Sequence, residues 1–411
     1  MSIIPNIQNL IVCRSLLEDG IIKKFITLLK ENNHSDLKNA LIYELIDKAE
    51  SLNLSGNLLS SYIVYLMAQG KNIAAVMTEK SQGTIGSSLY RAFINDMEII
   101  YPLLKASPST YFDTSLLDDY QSTLKCNNLS IIDLQDKVKT ATSPKILADT
   151  FIDYYRTYGF GDIANFRAFR WNDTKKLIGI RHFDKMSIDE IIGYEYQKSV
   201  LLANTEAFLS GKPANNALLV GARGTGKSSS VKALANRYFS HGLRLVEITK
   251  NQLVSLPQIM ETLRQSSRKK FIIFLDDLSF EAFEVEYKYL KSNIEGGVES
   301  KPDNVLIYAT SNRRHLIKET WKDRGAENDD IHRADTVNET ISLSDRFGIT
   351  ISYLSPNQEE YLDIVLGLAK KYNLNISAEE LRAGAIAWEV SHSGRSGRTA
   401  QQYINHLLGK N

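Results

Sequence analysis

Eight consecutive residues, Gly221-Ala222-Arg223-Gly224-Thr225-Gly226-Lys227-Ser228, match G-x-x-x-x-G-K-[ST] without a mismatch. That spacing suits a phosphate cradle. The glycines let the backbone curl until successive N–H groups point inward at phosphate oxygens. The helix that follows, entered through Ser229, turns its positive end toward the same point. Lys227 is then placed to reach β- and γ-phosphates as a point charge, and the Ser228 hydroxyl to ligate Mg²⁺. A chance glycine-rich turn is the plain alternative. The flanks argue against it, because the apolar run ALLV (217–220) leads in and the helical pattern SSSVKALANRYF leads out. The expected ligands are ATP and Mg²⁺.

A second constellation lies downstream, Phe271-Ile-Ile-Phe-Leu275-Asp276-Asp277. A fully apolar strand ending in acids puts a carboxylate at the strand's C-terminal edge, where the metal sits in a phosphate-loop core. Asp276 is the expected metal-side carboxylate, acting through water because Mg²⁺ dehydrates reluctantly. Asp277 stands where many such enzymes carry a glutamate that polarises the attacking water. Its other reading is a cap for a following helix.

These residues need a scaffold, and the pattern from about residue 172 supplies one. Short apolar runs, ALLV (217–220), LRLVEI (243–248), FIIFL (271–275), NVLIYAT (304–310) and ITISYL (349–354), alternate with helical patterns. Such alternation implies βαβ units and a parallel sheet. After Pro356 the chain returns to helix in QEEYLDIVLGLAKKY and again near 398–408. Residues 1–160 read as an all-helical domain, with Leu and Ile at three- and four-residue spacings in 21–29 and 37–52. Residues 161–190 read as a linker, its glycine- and aromatic-rich start packed. The core is expected over 191–355 and a helical lid over 356–411.

Bulk properties narrow the class. Of 411 residues, 43% are hydrophobic and 24% charged, as in ordinary globular proteins. A net charge of +1 argues against bulk electrostatic binding to nucleic acid or membrane. Cys13 and Cys126, far apart, read as reduced thiols rather than a disulfide framework or a metal site. The opening MSIIPNIQNLIVCRS lacks a basic n-region and a small-residue cleavage site. No apolar run approaches the roughly 20 residues that span a bilayer. A cytoplasmic location is expected.

With these motifs in hand, the chain resembles the AAA+ ATPases. More narrowly, residues from about 172 to 410 resemble the bacterial DUF815 group. The stretches that carry this likeness are IIGYEYQK (191–198), GKPANNALLVGARGTGKSS (211–229), FLDDLSFE (274–281), YKYLKSNIEGG (287–297), ATSNRRHLI (309–317), SLSDRFGI (342–349) and SGRSGRTAQQYI (393–404). The resemblance implies an α/β phosphate-loop core with a parallel sheet of the 5-1-4-3-2 type and a C-terminal helical lid. Asn312 matches sensor 1, which holds the attacking water; a turn residue after a strand is the other reading. Arg346 in SDRFG matches the arginine finger, against a surface ion pair. A finger acting in trans implies a homo-oligomer. Arg398 matches sensor 2, with Arg395 fitting a shifted alignment. Ile192 and Gly193 lie in a stretch resembling the one that lines the adenine pocket; ordinary core packing is the alternative.

Two features depart from the usual pattern. The acidic pair is Asp-Asp rather than Asp-Glu, which bears on turnover rate and not on binding. A long charged insertion, 315–341, with His315 and His332, reads as a solvated loop whose spacing fits no metal-ligand pattern.

The function expected is coupling of ATP hydrolysis to remodelling of an unknown client, reached through the N-terminal helices. A slow-hydrolysing switch or loader, acting at DNA in one version, is the main rival. The N-terminal 160 residues carry 15 Lys and Arg against 17 Asp and Glu and no DNA-binding motif, which disfavours nucleic acid. The basic stretch 266–270 reads as a solvated loop before a buried strand. A small-molecule kinase would also use this phosphate loop but has no need of sensors, finger and lid.

Overall fold

Apolar residues three and four apart need a partner face, and in the first part of the chain other helices provide it. The computed structural model describes residues 6–410 except 31–34, 71, 82, 127, 173, 267, 281–285, 296–300, 314–315, 317–343 and 393. By its contacts the chain forms two units. The first runs to Phe166 and takes in Ser266–Lys269; the second comprises Arg167–Gln265 and Lys270 onward.

The first unit is built on helices α1 (Gly20–Lys30), α2 (Ser35–Leu52), α3 (Leu58–Gln69), α4 (Ile73–Lys80), α5 (Ser87–Lys105), α6 (Leu129–Thr140) and α7 (Pro144–Tyr158). The segments expected to be helical, 21–29 and 37–52, fall within α1 and α2. Asn57, Asn72, Asn128 and Ser143 cap α3, α4, α6 and α7 by accepting backbone N–H bonds. Buried Asp96 accepts the N–H groups of Val12 and Cys13 at 2.8 and 2.7 Å, which makes burial of its carboxylate tolerable.

The basic stretch before the third core strand corrects the expectation. Lys269 is not solvated but fully buried in this first unit. Its Nζ donates to the carbonyls of Arg156 and Thr157 at 2.9 and 2.8 Å and lies 3.6 Å from a Glu79 carboxylate oxygen. Carbonyls at the end of a helix lack intrahelical donors, and a cation is favoured there.

In the second unit the sheet contains β1 (Ala168–Trp171), β2 (Leu177–Gly179), β3 (Ala217–Gly221), β4 (Leu243–Glu247), β5 (Lys270–Leu275), β6 (Val305–Ser311) and β7 (Ile349–Tyr353). Their order is β2-β1-β4-β5-β6-β3-β7, and every pairing is parallel except β1 with β2. The five expected strands thus take the 5-1-4-3-2 arrangement as β7, β3, β6, β5 and β4. Two more extend the β4 edge. They come from the stretch read as a linker, which is corrected to that extent. Phe169 and Trp171 pack as strand residues, and Ala168 to Arg170 pair with Leu245 to Glu247.

Helices α8 (Glu195–Leu209), α9 (Lys227–Arg237), α10 (Leu256–Arg264) and α11 (Glu286–Glu295) belong to the core. The lid is α12 (Gln358–Lys371), α13 (Ala378–Ser391) and α14 (Gly397–Leu408), with a core of its own around Tyr361, Val365, Ala385 and Ile404. Helix α13 was not singled out in the sequence. Its Gly384 lets Tyr403 pack close, since a Cβ there would fall 2.1 Å from the Tyr403 hydroxyl and the ring would have to shift. Sheet order, phosphate loop and lid together make this the AAA+ fold. Of the charged insertion, His315 and residues 317–341 lie outside the described residues.

Candidate nucleotide site

Strand β3 delivers the chain into the loop at Gly221, whose φ is +141°. A Cβ there would lie 1.9 Å from the Tyr353 carbonyl oxygen on β7. Gly224 and Gly226 also take positive φ, and the buried Thr225 closes the curl by donating to the Ala222 carbonyl at 2.8 Å. The loop then opens α9, whose first N–H groups have no intrahelical acceptors. Replacing Gly221 with alanine is expected to destabilise the fold by about 1–3 kcal/mol through backbone strain alone. A thermal melt reads this directly; an unchanged midpoint would contradict the tight β3–β7 approach.

Lys227 is buried at the mouth of α9. Its Nζ donates to the Gly221 and Ala222 carbonyls at 2.9 and 2.6 Å and to Asn312 Oδ1 at 3.1 Å. Burial pulls its pKa below the usual lysine value, while the carboxylates of Asp277 and Asp276 push the other way. The Ser228 hydroxyl donates to Asp276 Oδ1 at 2.5 Å. Asp277 stands in the left-handed region, φ +52°, and accepts a hydrogen bond from the Asn312 amide. Its carboxylate is therefore engaged by Asn312, with no helix starting at the next residue.

One buried residue escaped the sequence reading. Thr310, on β6, donates its hydroxyl to Asp276 Oδ1 at 2.7 Å and accepts the Asp277 N–H at 2.9 Å. Lys232, one turn into α9 from Ser228, sits 3.9 Å from Asp276 Oδ2. A threonine near the end of a buried strand and a lysine one turn into a helix carry no motif, so neither stands out in the sequence.

These groups share a cavity of about 610 Å³, within the ~300–1,000 Å³ usual for ligand sites. Of the expected residues, Arg223 through Ser229, Asp276, Asp277, Asn312, Arg398 and Ile192 line it. Gly221 and Ala222 support it through their carbonyls. Gly193, with φ +79°, shapes the preceding turn without lining it. Arg398 reaches the loop also through its backbone N–H, 3.2 Å from the Gly224 carbonyl. Arg395 instead holds Glu389, its Nε at 3.0 and 2.8 Å from the two carboxylate oxygens. Arg346, after β6 and before β7, is partly buried and does not line the cavity.

The other end of the cavity is apolar. Met186, Ile191 and Ile192 face Ile364 and Leu368 of the lid, with Gln401 beside them. Helix α12 comes close because residue 367 is glycine; a Cβ there would lie 2.6 Å from Ile192 Cδ1. Lys371, at the end of α12, pairs with Glu190 and holds that carboxyl below its ordinary pKa. The donor set fits a nucleoside triphosphate: cations and N–H groups from the loop, with apolar side chains of core and lid beside them. Ser228 and Asp276 offer hard oxygen ligands of the kind Mg²⁺ takes.

The family model described as "Protein of unknown function (DUF815)" matches residues 164–411. The chain belongs to that family. The DUF815 match takes in β1 and β2 as well as core and lid. Among solved structures, the RuvB Holliday junction branch migration motor of Thermotoga maritima is 17% identical, with 55% of this chain and 72% of that chain covered and a TM-score of 0.33. A single-substitution variant of RuvB from the same organism is 16% identical, with 55% and 73% covered and a TM-score of 0.34. No curated protein matches the DUF815 chain. Among the described residues, no helix is long and apolar enough to cross a membrane, and no group of three or more His, Cys, Asp or Glu could hold a metal ion.

Proposed function

We propose that this protein is a Mg²⁺-dependent ATP hydrolase of the AAA+ type, which couples turnover to remodelling of a macromolecular client. The observation that carries the reading is the meeting of Lys227, Ser228, Asp276, Asp277 and Asn312 in one cavity, with an apolar slot under the lid. Lys227 neutralises the outer phosphates and Arg398 reaches them from the lid. Mg²⁺, when bound, would supply neutralisation of the charge that develops in phosphoryl transfer. Ser228 and Asp276 would hold that ion, Asp276 through water. Asp277 takes the proton side of the attacking water, held in line by Asn312. Arg346 completes a neighbour's site, so the working form is a homo-oligomer. The N-terminal helices engage the client, in the cytoplasm and without a membrane. Core, lid and helical domain are the working division of the chain.

Calorimetry with Mg-ATP and steady-state phosphate release by the full chain test this together. Asp276→Asn should lower Mg²⁺-dependent turnover by about 10–100-fold, the usual loss at a metal-supporting carboxylate. Nucleotide binding should stay within about twofold of the original. Turnover at the unaltered rate would remove Asp276 from the metal side.

One observation favours a second reading, a slow nucleotide-dependent switch or loader. Asp277 is a methylene shorter than glutamate and is bonded to Asn312. Phosphate release that stays below about one turnover per minute in assembled protein, the slow range of switch-type hydrolases, with tight ATP binding, would select the switch. Salt-dependent retention of DNA would give it a nucleic-acid client.

A further inference from the structure

We propose that Thr310 is a positioning residue that sets both carboxylates of the Asp276–Asp277 pair and thereby tunes the metal dependence of nucleotide binding. This rests on the ATPase reading above. The Thr310 side chain is essentially inaccessible, 1% exposed. A hydroxyl has one proton to give and two lone pairs to accept with. Here the directions are forced. A carboxylate only accepts, so the proton goes to Asp276 Oδ1 at 2.7 Å. A backbone N–H only donates, so a lone pair takes the Asp277 amide at 2.9 Å.

The consequences for the two acids differ. Asp276 Oδ1 receives two hydroxyls, from Ser228 and from Thr310. A hydroxyl ligates a metal through a lone pair, so Ser228 can hold the ion and still donate to Asp276; the Thr310 bond is the one hydroxyl bond to that oxygen whose donor is not itself a candidate ligand, and it orients the carboxylate whichever way Ser228 turns. Asp277 is a non-glycine residue at φ +52°. That left-handed conformation is disfavoured for a residue with a side chain, though less for aspartate than for most. Anchoring its N–H on Thr310 holds the turn in which its side chain departs toward Asn312. The next amide, Leu278, is held by the Thr310 carbonyl at 2.7 Å, so one residue of β6 grips three consecutive residues after β5. Partners that orient metal-supporting carboxylates typically change metal affinity or activity by about 10–100-fold when removed.

The experiment uses the full chain and ADP as probe. Calorimetry measures ADP affinity with Mg²⁺ and with chelator, for the original protein, Thr310→Val and Thr310→Ser. Valine keeps the shape and loses the hydroxyl; serine keeps the hydroxyl. The affinity gain from Mg²⁺ should fall about tenfold or more in the valine variant and return to within about threefold in the serine variant. Affinity in chelator should be unchanged, which a merely structural role would not predict. Thr310→Ala substitutes if the valine variant melts early. A valine or alanine variant that keeps the full Mg²⁺ gain overturns the assignment of Thr310 and leaves the ATPase reading intact. Absence of ADP binding by the original protein overturns the ATPase reading itself and this inference with it.

Discussion

Lys227→Ala should reduce ATP turnover by about 10²–10³-fold or more, the loss that follows removal of one pre-aimed electrostatic group in a water-poor site. The ammonium is buried and held by two loop carbonyls and by Asn312. Its position is therefore fixed before any phosphate arrives, and with all three N–H donors engaged it gives up at least one of these bonds to reach one. Alanine removes the charge and also leaves the Gly221 and Ala222 carbonyls without that donor. Those two losses separate by method. Calorimetry with ATP reads binding, phosphate release reads turnover, and a thermal melt reads the loop. Lys227→Arg keeps the charge but not the compact geometry, and it should remain impaired because guanidinium is planar and larger. Turnover within about threefold of the original in the alanine variant would dismiss the phosphate-loop reading.

Arg346→Ala should bind ATP normally and lose about 10³–10⁵-fold in turnover in assembled protein, the range for an arginine that completes a phosphoryl-transfer site. The geometry behind this is that Arg346 does not line the cavity of its own chain. An in-trans role also predicts complementation. Arg346→Ala subunits keep their Lys227, and Lys227→Ala subunits keep their Arg346. Mixed together, they form some interfaces in which both residues are intact, so activity should reappear. Full activity of the Arg346→Ala protein alone would rule out the finger. Failure of the mixture to recover, with both variants assembling, would rule out action across subunits.

What could be read from the sequence follows burial. Strands β3, β5 and β6 are covered on both faces along most of their length, so they read as mainly apolar runs rather than alternating ones. The phosphate loop is legible because its chemistry is local, with each residue acting within eight positions of the next. Strands β1 and β2 were missed because four- and three-residue strands with an exposed residue carry no usable period. Lys269 was misread because its burial depends on Glu79 and the end of α7, more than a hundred residues away. Thr310 was missed for a related reason, since its partners lie in the turn after β5, more than thirty residues away. The alternatives Arg395 and Arg398 are three residues apart, and only the placement of Glu389 and Gly224 separates them.

The small ribbon at the rim of the sheet has a practical meaning. Strand β4 hands one row of backbone donors and acceptors to β5 and the other to β1. A recombinant piece trimmed to residue 191 would strip that second row bare, and bare rows recruit other molecules by edge-to-edge pairing. Such a piece should precipitate or form stacked aggregates, whereas trimming at residue 164 would retain the protective ribbon.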